Sequence, residues 1–279
     1  MAAVAAPSED ELLEIVAIAR RAARVILDVY ATAFVVDLKG PNDPVTRADR
    51  EANDLICGEL EARFPGHAIV AEESVPTDPA VLAGLVQSER VFFVDPLDGT
   101  REFADRNGEF VVMIGLTIAG RPALGVVVSP TTGQVLAGRV GEGGFLEESG
   151  GARRPLLVST ETDPSAARLM VSRSHRPRLA GLLCTSLGIT REIPCGSVGL
   201  KVARLAVGEA ELYAHAGLGA QRWDTCGPEA ILVAAGGRFT DLSGQLIDYR
   251  DPDLVLRNGI LASNGILHDA VLRAVQGAG

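Results

Sequence analysis

The stretch Asp95-Pro96-Leu97-Asp98-Gly99-Thr100 follows the apolar run Val91-Phe92-Phe93-Val94, and an acidic pair, Glu72-Glu73, lies shortly upstream. A buried strand that ends in two carboxylates, a proline, a glycine and a hydroxyl carries more polar chemistry than packing requires. Pro96 fixes its own φ and biases Asp95 away from helical geometry, so the strand stays extended to its last carboxylate and then turns. Asp95 and Asp98 are thereby expected to converge. Oxygen ligands of this kind suit a hard divalent cation that keeps several waters, magnesium being the natural choice, and one Asp can bridge two ions. Gly99 lets backbone approach a ligand closely, and Thr100-Arg101-Glu102-Phe103 reads as a first helical turn whose free N–H groups hold a phosphate. The same residue types also build ordinary turns. The whole hexapeptide, behind an apolar strand and with Glu72-Glu73 upstream, favours metal and phosphate.

The elements that must position these groups can be read from periodicity. Ser8-Glu9-Asp10-Glu11 resembles a capping box, and Leu12, Ile15, Val16, Ala19, Ala23, Ile26 and Leu27 recur at helical spacing. Pro41 and Pro44 break the next segment, and Ala48 to Phe64 again reads helical, with Asp49 in its first turn and Pro65-Gly66 as its stop. From His67 to Gly144 the pattern is mostly strand, for which an antiparallel sheet is the economical reading. Glu147 to Pro155, rich in Gly and charge, is expected to be an exposed loop or a junction. The second half alternates short apolar strands with helices, including Arg178 to Leu187, Gly199 to Val207 and Pro228 to Ala235, and closes with a strand near Gly237 to Thr240.

At 279 residues the chain can bury a large core, as one α/β unit or as two lobes packed together, taken here as 8–150 and 156–279. The formal net charge of -10, with no block of Lys or Arg, argues against a nucleic-acid polymer as partner. It leaves room for a small phosphorylated substrate recruited by metal ions. The four cysteines, Cys57, Cys184, Cys195 and Cys226, form no C-x-x-C pair and no zinc spacing, so free thiols in a reducing compartment are expected. The N-terminal residues lack the pattern of a secretory signal, and the apolar run Phe110 to Ala119 is too short to span a bilayer. A cytoplasmic enzyme away from the membrane is the expectation.

Set side by side, Pro44-Val45-Thr46-Arg47-Ala48-Asp49, Ala71-Glu72-Glu73-Ser74, Asp95 to Thr100 and Trp223-Asp224 resemble the ordered signature of the inositol monophosphatase family of magnesium-dependent, lithium-sensitive phosphatases. The resemblance covers nearly the whole chain. It implies an α/β fold layered as an αβαβα sandwich, of the kind shared with fructose bisphosphatase-like sugar phosphatases. It further implies that Glu72, Asp95 and the Leu97 carbonyl hold one magnesium, that Asp95, Asp98 and Asp224 hold a second, and that Glu73 sits near a weaker third. Thr100, bonded to Asp49, would orient and deprotonate the attacking water, and the Gly99 and Thr100 N–H groups would hold phosphate oxygens. Phosphate monoester hydrolysis is very slow uncatalysed, and its charge is spread over oxygens, so electrostatic clamping and positioning must supply most of the acceleration. No catalytic histidine is demanded. Taken singly, Asp49 is equally a first-turn residue favoured by the helix dipole, Asp224 an N-cap before the Pro228 helix, and Glu72-Glu73 a solvated pair.

Within the family, Arg101-Glu102-Phe103, Ser172-Arg173-Ser174-His175 and Gly196-Ser197-Val198-Gly199-Leu200-Lys201 are similar to elements of the 3'(2'),5'-bisphosphate nucleotidase branch. The resemblance implies hydrolysis of adenosine 3',5'-bisphosphate to AMP and phosphate, a step that clears a by-product of sulfur metabolism. The uncleaved phosphate needs cationic or hydroxyl contacts, for which Ser197, Lys201, His175 and Arg173 are candidates. Ala214-His215 stand where that branch often has Pro-Arg, and Arg222 is the candidate replacement. The alternatives are an inositol-1-monophosphatase or a phosphatase of another sugar or alcohol phosphate, and, from a different class, a non-catalytic member acting through partners. The presence of Asp49, Glu72, Asp95, Asp98, Thr100 and Asp224 speaks for the enzyme. The resemblance admits a homodimer as well as a monomer.

Overall fold

The computed structural model of the chain describes residues 5–40, 43–173, 178–217 and 219–277. In chain order its first half contains α1 (Glu9–Tyr30), β1 (Val36–Gly40), β2 (Asp43–Thr46), α2 (Arg47–Arg63), β3 (Ala68–Ala71), α3 (Pro79–Val86), β4 (Arg90–Asp98), α4 (Thr100–Ala104), β5 (Val111–Ile118), β6 (Arg121–Val128), β7 (Val135–Arg139), β8 (Gly143–Glu147) and β9 (Arg153–Pro155). The second half contains β10 (Arg168–Ser172), α5 (Arg178–Leu187), β11 (Arg191–Cys195), α6 (Val198–Ala206), β12 (Leu212–His215), α7 (Arg222–Ala234), β13 (Arg238–Thr240), β14 (Ile260–Ser263) and α8 (His268–Gln276).

Seven strands form one sheet in the order β3-β4-β5-β6-β7-β8-β9, and five form another in the order β11-β10-β12-β14-β13. Both faces of the first sheet are covered, so its strands are apolar at odd and even positions alike. Phe92, Val94, Val112, Ile114, Leu124 and Val126 pack with the buried stripe of α1 and the inner face of α2. Val91, Phe93, Val111, Met113 and Val127 face the other way, against α6 and α7, and share a core with Tyr213, Phe239, Ile260 and Ala262 of the second sheet. Leu169, Val171, Leu212 and Leu261, on that sheet's far face, pack with Leu179 and Leu183 of α5 and Val271 of α8. The layers therefore run helix, sheet, helix, sheet, helix, the αβαβα sandwich expected.

The middle layer is pressed unusually close to the first sheet. Gly227 of α7 lies directly over Gly115 of β5 and Gly125 of β6, where a Cβ on either strand glycine would overlap the Gly227 backbone. Three residues without side chains let the helix backbone settle on the strands. This contact aims the start of α7 at the end of β4.

Several local expectations are corrected. In the first sheet the strands from β4 to β9 pair antiparallel as expected, but β3 pairs parallel to β4, because α3 and its flanking loops carry the chain back across the sheet. Glu147 to Pro155 is a tight hairpin in which β9 extends the sheet edge beside β8, with Arg153 and Arg20 holding Glu147 between them. α7 begins at Arg222 rather than at Pro228, which lies inside it. Proline lacks the N–H that would bond back to residue 224, so at the middle of α7 the helix forgoes that bond. The hairpin β1-β2, α3, β14 and α8 have short or weakly periodic sequences and are not anticipated. No described helix is long and apolar enough to cross a membrane.

Gly125→Ala is expected to destabilise the protein by about 1–3 kcal/mol through overpacking, read from urea unfolding. An unchanged midpoint would mean that α7 can lift off the sheet without cost. His268 is fully buried between the hydroxyls of Thr240 (2.9 Å) and Ser263 (2.8 Å), and burial, aided by Arg238 and opposed by Asp269, lowers its pKa from 6.5 to about 4. Between those values the unfolded chain binds more protons, so this contribution to stability is complete above 6.5 and is lost as pH falls through about 4. Urea midpoints should decline across that window in the native sequence, and the decline should be shallower in His268→Asn.

Candidate active site

The end of β4 turns by a bulge. Asp95 pairs with Met113 and Asp98 with Val111, so three steps along β4 match two along β5. In a regular strand residues three apart face opposite ways; the extra residue returns Asp98 to the side occupied by Asp95. The Leu97 N–H donates to Asp95 Oδ1 at 2.9 Å and closes the turn. Gly99 follows with φ 101°, and a Cβ there would lie 2.9 Å from the carbonyl oxygen of Glu109. The position needs glycine on both counts.

The parallel pairing of β3 and β4 has a direct consequence. Ala71 is in register with Val94, so the next residues, Glu72 and Asp95, leave the sheet side by side at the same end. Glu72 and Glu73 open a one-turn 3-10 helix, and the Glu72 carboxyl hydrogen-bonds that of Asp95. Asp224 arrives from α7, in its first turn, where its Oδ2 accepts the Gln221 N–H at 2.8 Å. Asp95 is only 2% exposed. Burial first, then the charges of Glu72, Asp98 and Asp224, drive its pKa well above the usual carboxylate range. Burial also raises that of Asp98, against the pull of its donors and of Lys201.

Asp49 is held from the opposite side. Thr46 caps α2, and both its N–H (2.7 Å) and its hydroxyl (2.6 Å) donate to Asp49 Oδ2. Oδ1 is then the oxygen that meets the Thr100 hydroxyl, at 3.0 Å. The same hydroxyl lies 3.2 Å from the Leu97 carbonyl, and its single proton serves one acceptor at a time. Burial raises the Asp49 pKa, while the bonds from Thr46 and Thr100 oppose the shift.

Four carboxylates from three elements thus act on one another around Asp95, with the Leu97 carbonyl beside them. An all-oxygen donor set of high negative charge fits a hard divalent cation such as magnesium. Among the described residues no three His, Cys, Asp or Glu side chains already stand as a closed metal-ligating group. As they lie, the carboxylates are instead relieved by sharing a hydrogen bond and by raised proton affinity. Their chemistry, rather than a preformed coordination shell, is what fits the ion.

The residues expected to hold a second phosphate are employed differently. Ser197, at φ 50°, donates its hydroxyl to Asp98 Oδ2 at 2.6 Å and accepts the Leu200 N–H at the start of α6. Gly199 N–H donates to the same Oδ2 at 2.7 Å. Lys201 is 4% exposed; its ammonium donates to the carbonyls of Ser197 (2.7 Å) and Gly196 (3.1 Å) and lies 5.1 Å above the Tyr213 ring. A lysine buried without a bulk-water shell takes the nearest acceptors, here its own loop. The Arg222 guanidinium donates to the carbonyls of Asp248 (2.7 Å) and Asp253 and to Asp251 (3.0 Å), pinning the loop over α7. Arg173 pairs with Glu109. His175 lies outside the described residues. Thr46 and Glu109 were not singled out from sequence, although Thr46-x-x-Asp49 is a capping-box spacing that could have found the first.

Arg222→Ala is expected to lower Tm, since a buried hydrogen bond to a charged donor contributes about 1.5–3 kcal/mol. An unchanged Tm with a selective loss of substrate affinity would return Arg222 to the site.

Comparison with known proteins agrees with this geometry. A model of the inositol monophosphatase family matches residues 8–279. The chain is 34% identical over 248 residues to the 3'(2'),5'-bisphosphate nucleotidase CysQ of Escherichia coli (strain K12), covering 88% of this chain and 96% of that protein. It is 31% identical over 276 residues to inositol monophosphatase 3 of Solanum lycopersicum, covering 96% and 97% respectively. The solved structure of the extragenic suppressor protein suhB from Bartonella henselae matches with TM-score 0.80 at 25% identity, over 96% of this chain and 99% of that one. With its layered fold, its carboxylate cluster at the end of β4 and these matches, the chain belongs to the inositol monophosphatase family.

Proposed function

We propose that the chain is a magnesium-dependent phosphomonoesterase that hydrolyses 3'(2'),5'-bisphosphate nucleotides, releasing AMP and phosphate from adenosine 3',5'-bisphosphate. The observation that carries the phosphatase reading is the meeting of Glu72, Asp95, Asp98 and Asp224 beside the bonded pair Asp49 and Thr100. The nucleotide is supported by the 34% identity to CysQ of Escherichia coli and by the continuation Arg101-Glu102-Phe103 after the central motif.

In this reading Glu72, Asp95 and the Leu97 carbonyl would hold one magnesium, Asp95, Asp98 and Asp224 would hold a second, and Glu73 would serve a third. When bound, the ions supply Lewis-acid charge at phosphoryl oxygens and lower the pKa of water. The protein's own part is to orient groups and move a proton. Thr46 occupies Asp49 Oδ2, so Oδ1 is left as the acceptor for the Thr100 hydroxyl. With its proton directed at Asp49, Thr100 Oγ1 presents lone pairs to the incoming water, fixes its approach and accepts its proton as the hydroxyl's own passes to Asp49. The N–H groups of Gly99 and Thr100 hold the phosphate oxygens, and the positive φ of Gly99 keeps the backbone open to them.

A second reading, hydrolysis of an inositol or other alcohol monophosphate, draws on the burial of Lys201 against its own loop, which leaves it turned from a second phosphate. The 31% identity to inositol monophosphatase 3 of Solanum lycopersicum points the same way.

Phosphate release from adenosine 3',5'-bisphosphate should exceed that from inositol 1-phosphate and fructose 1,6-bisphosphate, and chelation of magnesium should abolish it. Equal or reversed preference would replace the nucleotide with the alcohol monophosphate. Thr100→Ala should lower kcat by about 10²–10⁴, the usual range for a group that handles the reacting proton. Near-native turnover in that variant would remove Thr100 from the mechanism.

A further inference from the structure

We infer that Glu109 is a positioning residue for the Asp98 carboxylate, acting through the Gly196-Ser197 loop; the inference rests on the reading of Asp98 as a magnesium ligand. Glu109 lies between α4 and β5, with its backbone carbonyl against Gly99. Its Oε2 accepts the Gly196 N–H at 2.7 Å and Arg173 Nε at 2.8 Å, and its Oε1 accepts the second Arg173 donor at 2.5 Å. Arg173 also donates to the Pro194 carbonyl at 3.2 Å, so the end of β11 is fastened to the loop that carries the catalytic turn.

What hangs from that fastening is the holder of Asp98. Ser197, the next residue after Gly196, has φ 50°, a conformation that L side chains adopt at a cost and that the surroundings must enforce. Its hydroxyl reaches Asp98 Oδ2 only because the backbone turns there, and Gly199 N–H reaches the same oxygen from the first turn of α6. Both of these donors meet on Oδ2, and the Val198 N–H bonds the same carboxylate, so the start of α6 fixes its orientation. Gly196 cannot be replaced to stiffen the turn, since a Cβ would enter the Glu102 side chain. Lys201 holds the Gly196 and Ser197 carbonyls from within α6, and Glu109 holds the Gly196 N–H from the β5 side. The Glu109–Arg173 ion pair alone is half exposed on the arginine side and contributes little. The bond to Gly196 is the link that matters, and it explains why the motif from Gly196 to Lys201 faces inward rather than toward a substrate phosphate.

Magnesium binding to the full chain, measured by calorimetry without substrate, tests this directly. Glu109→Ala should weaken binding by about tenfold, as loss of a group supporting a metal ligand typically does. In turnover the variant should need correspondingly more magnesium yet approach native kcat at saturation. Glu109→Gln keeps an acceptor for Gly196 N–H while breaking the ion pair, and should recover most of the affinity. Native affinity in Glu109→Ala, or equal weakening in both variants, overturns the inference. A native chain that takes up no magnesium overturns the metal reading itself, and this inference with it, before any variant is compared.

Discussion

Asp95 is a carboxylate with almost no access to water and with three others within reach of its charge. Removing an ionised carboxylate from water costs several kcal/mol even after relaxation, and like charges add to the cost. The surrounding structure is organised by how that cost is divided. Asp98 receives a hydroxyl, the backbone N–H groups of Gly199 and Val198 and the field of a buried ammonium. Asp49 receives two donors from Thr46 and one from Thr100, and Asp224 receives the Gln221 N–H. Asp95 receives the Leu97 N–H and a hydrogen bond shared with Glu72, which raises its pKa further. With its burial and three neighbouring charges, it is a place where a cation's charge would lower the energy.

That arrangement depends on features spread over the whole molecule. Parallel pairing of β3 with β4 brings Glu72 beside Asp95, whereas antiparallel pairing would send the two to opposite ends of the sheet. The bulge in β4 converts a three-residue spacing into a shared face. The glycine contact between α7 and strands β5 and β6 brings Asp224 close enough to matter. Alteration at Gly125 therefore reaches the carboxylates through α7, although it touches none of them.

How much of this can be read from sequence depends on whether a residue's job is local. The capping box at Ser8 is local, and α1 starts where that spacing puts it; the spacing at Thr46 is as local and marks the start of α2 at Arg47, one residue before the Ala48 read from periodicity. Asp95 to Thr100 is legible because five polar or conformationally special residues follow a run of four apolar ones. Strand direction is not local: nothing in His67 to Val94 states whether α3 returns the chain parallel or antiparallel. Pro228 misleads as a helix start because proline is common in a first turn, and only the packing of α7 extends the helix back to Arg222. For Lys201 and Arg222 the residue type announces a cation but not its direction. Tertiary carbonyls, from the Gly196-Ser197 loop and from Asp248 and Asp253, decide that both turn inward.

The inward turn of these cations bears on how a carboxylate-lined site can receive a phosphate at all. The formal net charge is -10, and Lys201 and Arg222 spend their donors on backbone and loop. An approaching dianion meets repulsion from Glu72, Asp95, Asp98 and Asp224 unless their charge has first been reversed. Backbone N–H groups at Gly99 and Thr100 offer partial charges too small to do this alone. In the proposed reading, ion binding precedes productive substrate binding, so a contact that sets a carboxylate's geometry also sets substrate affinity. In that reading the second-sheet loop that grips Asp98 acts on the phosphate without touching it, which reconciles a motif resembling a substrate subsite with side chains that face the carboxylates.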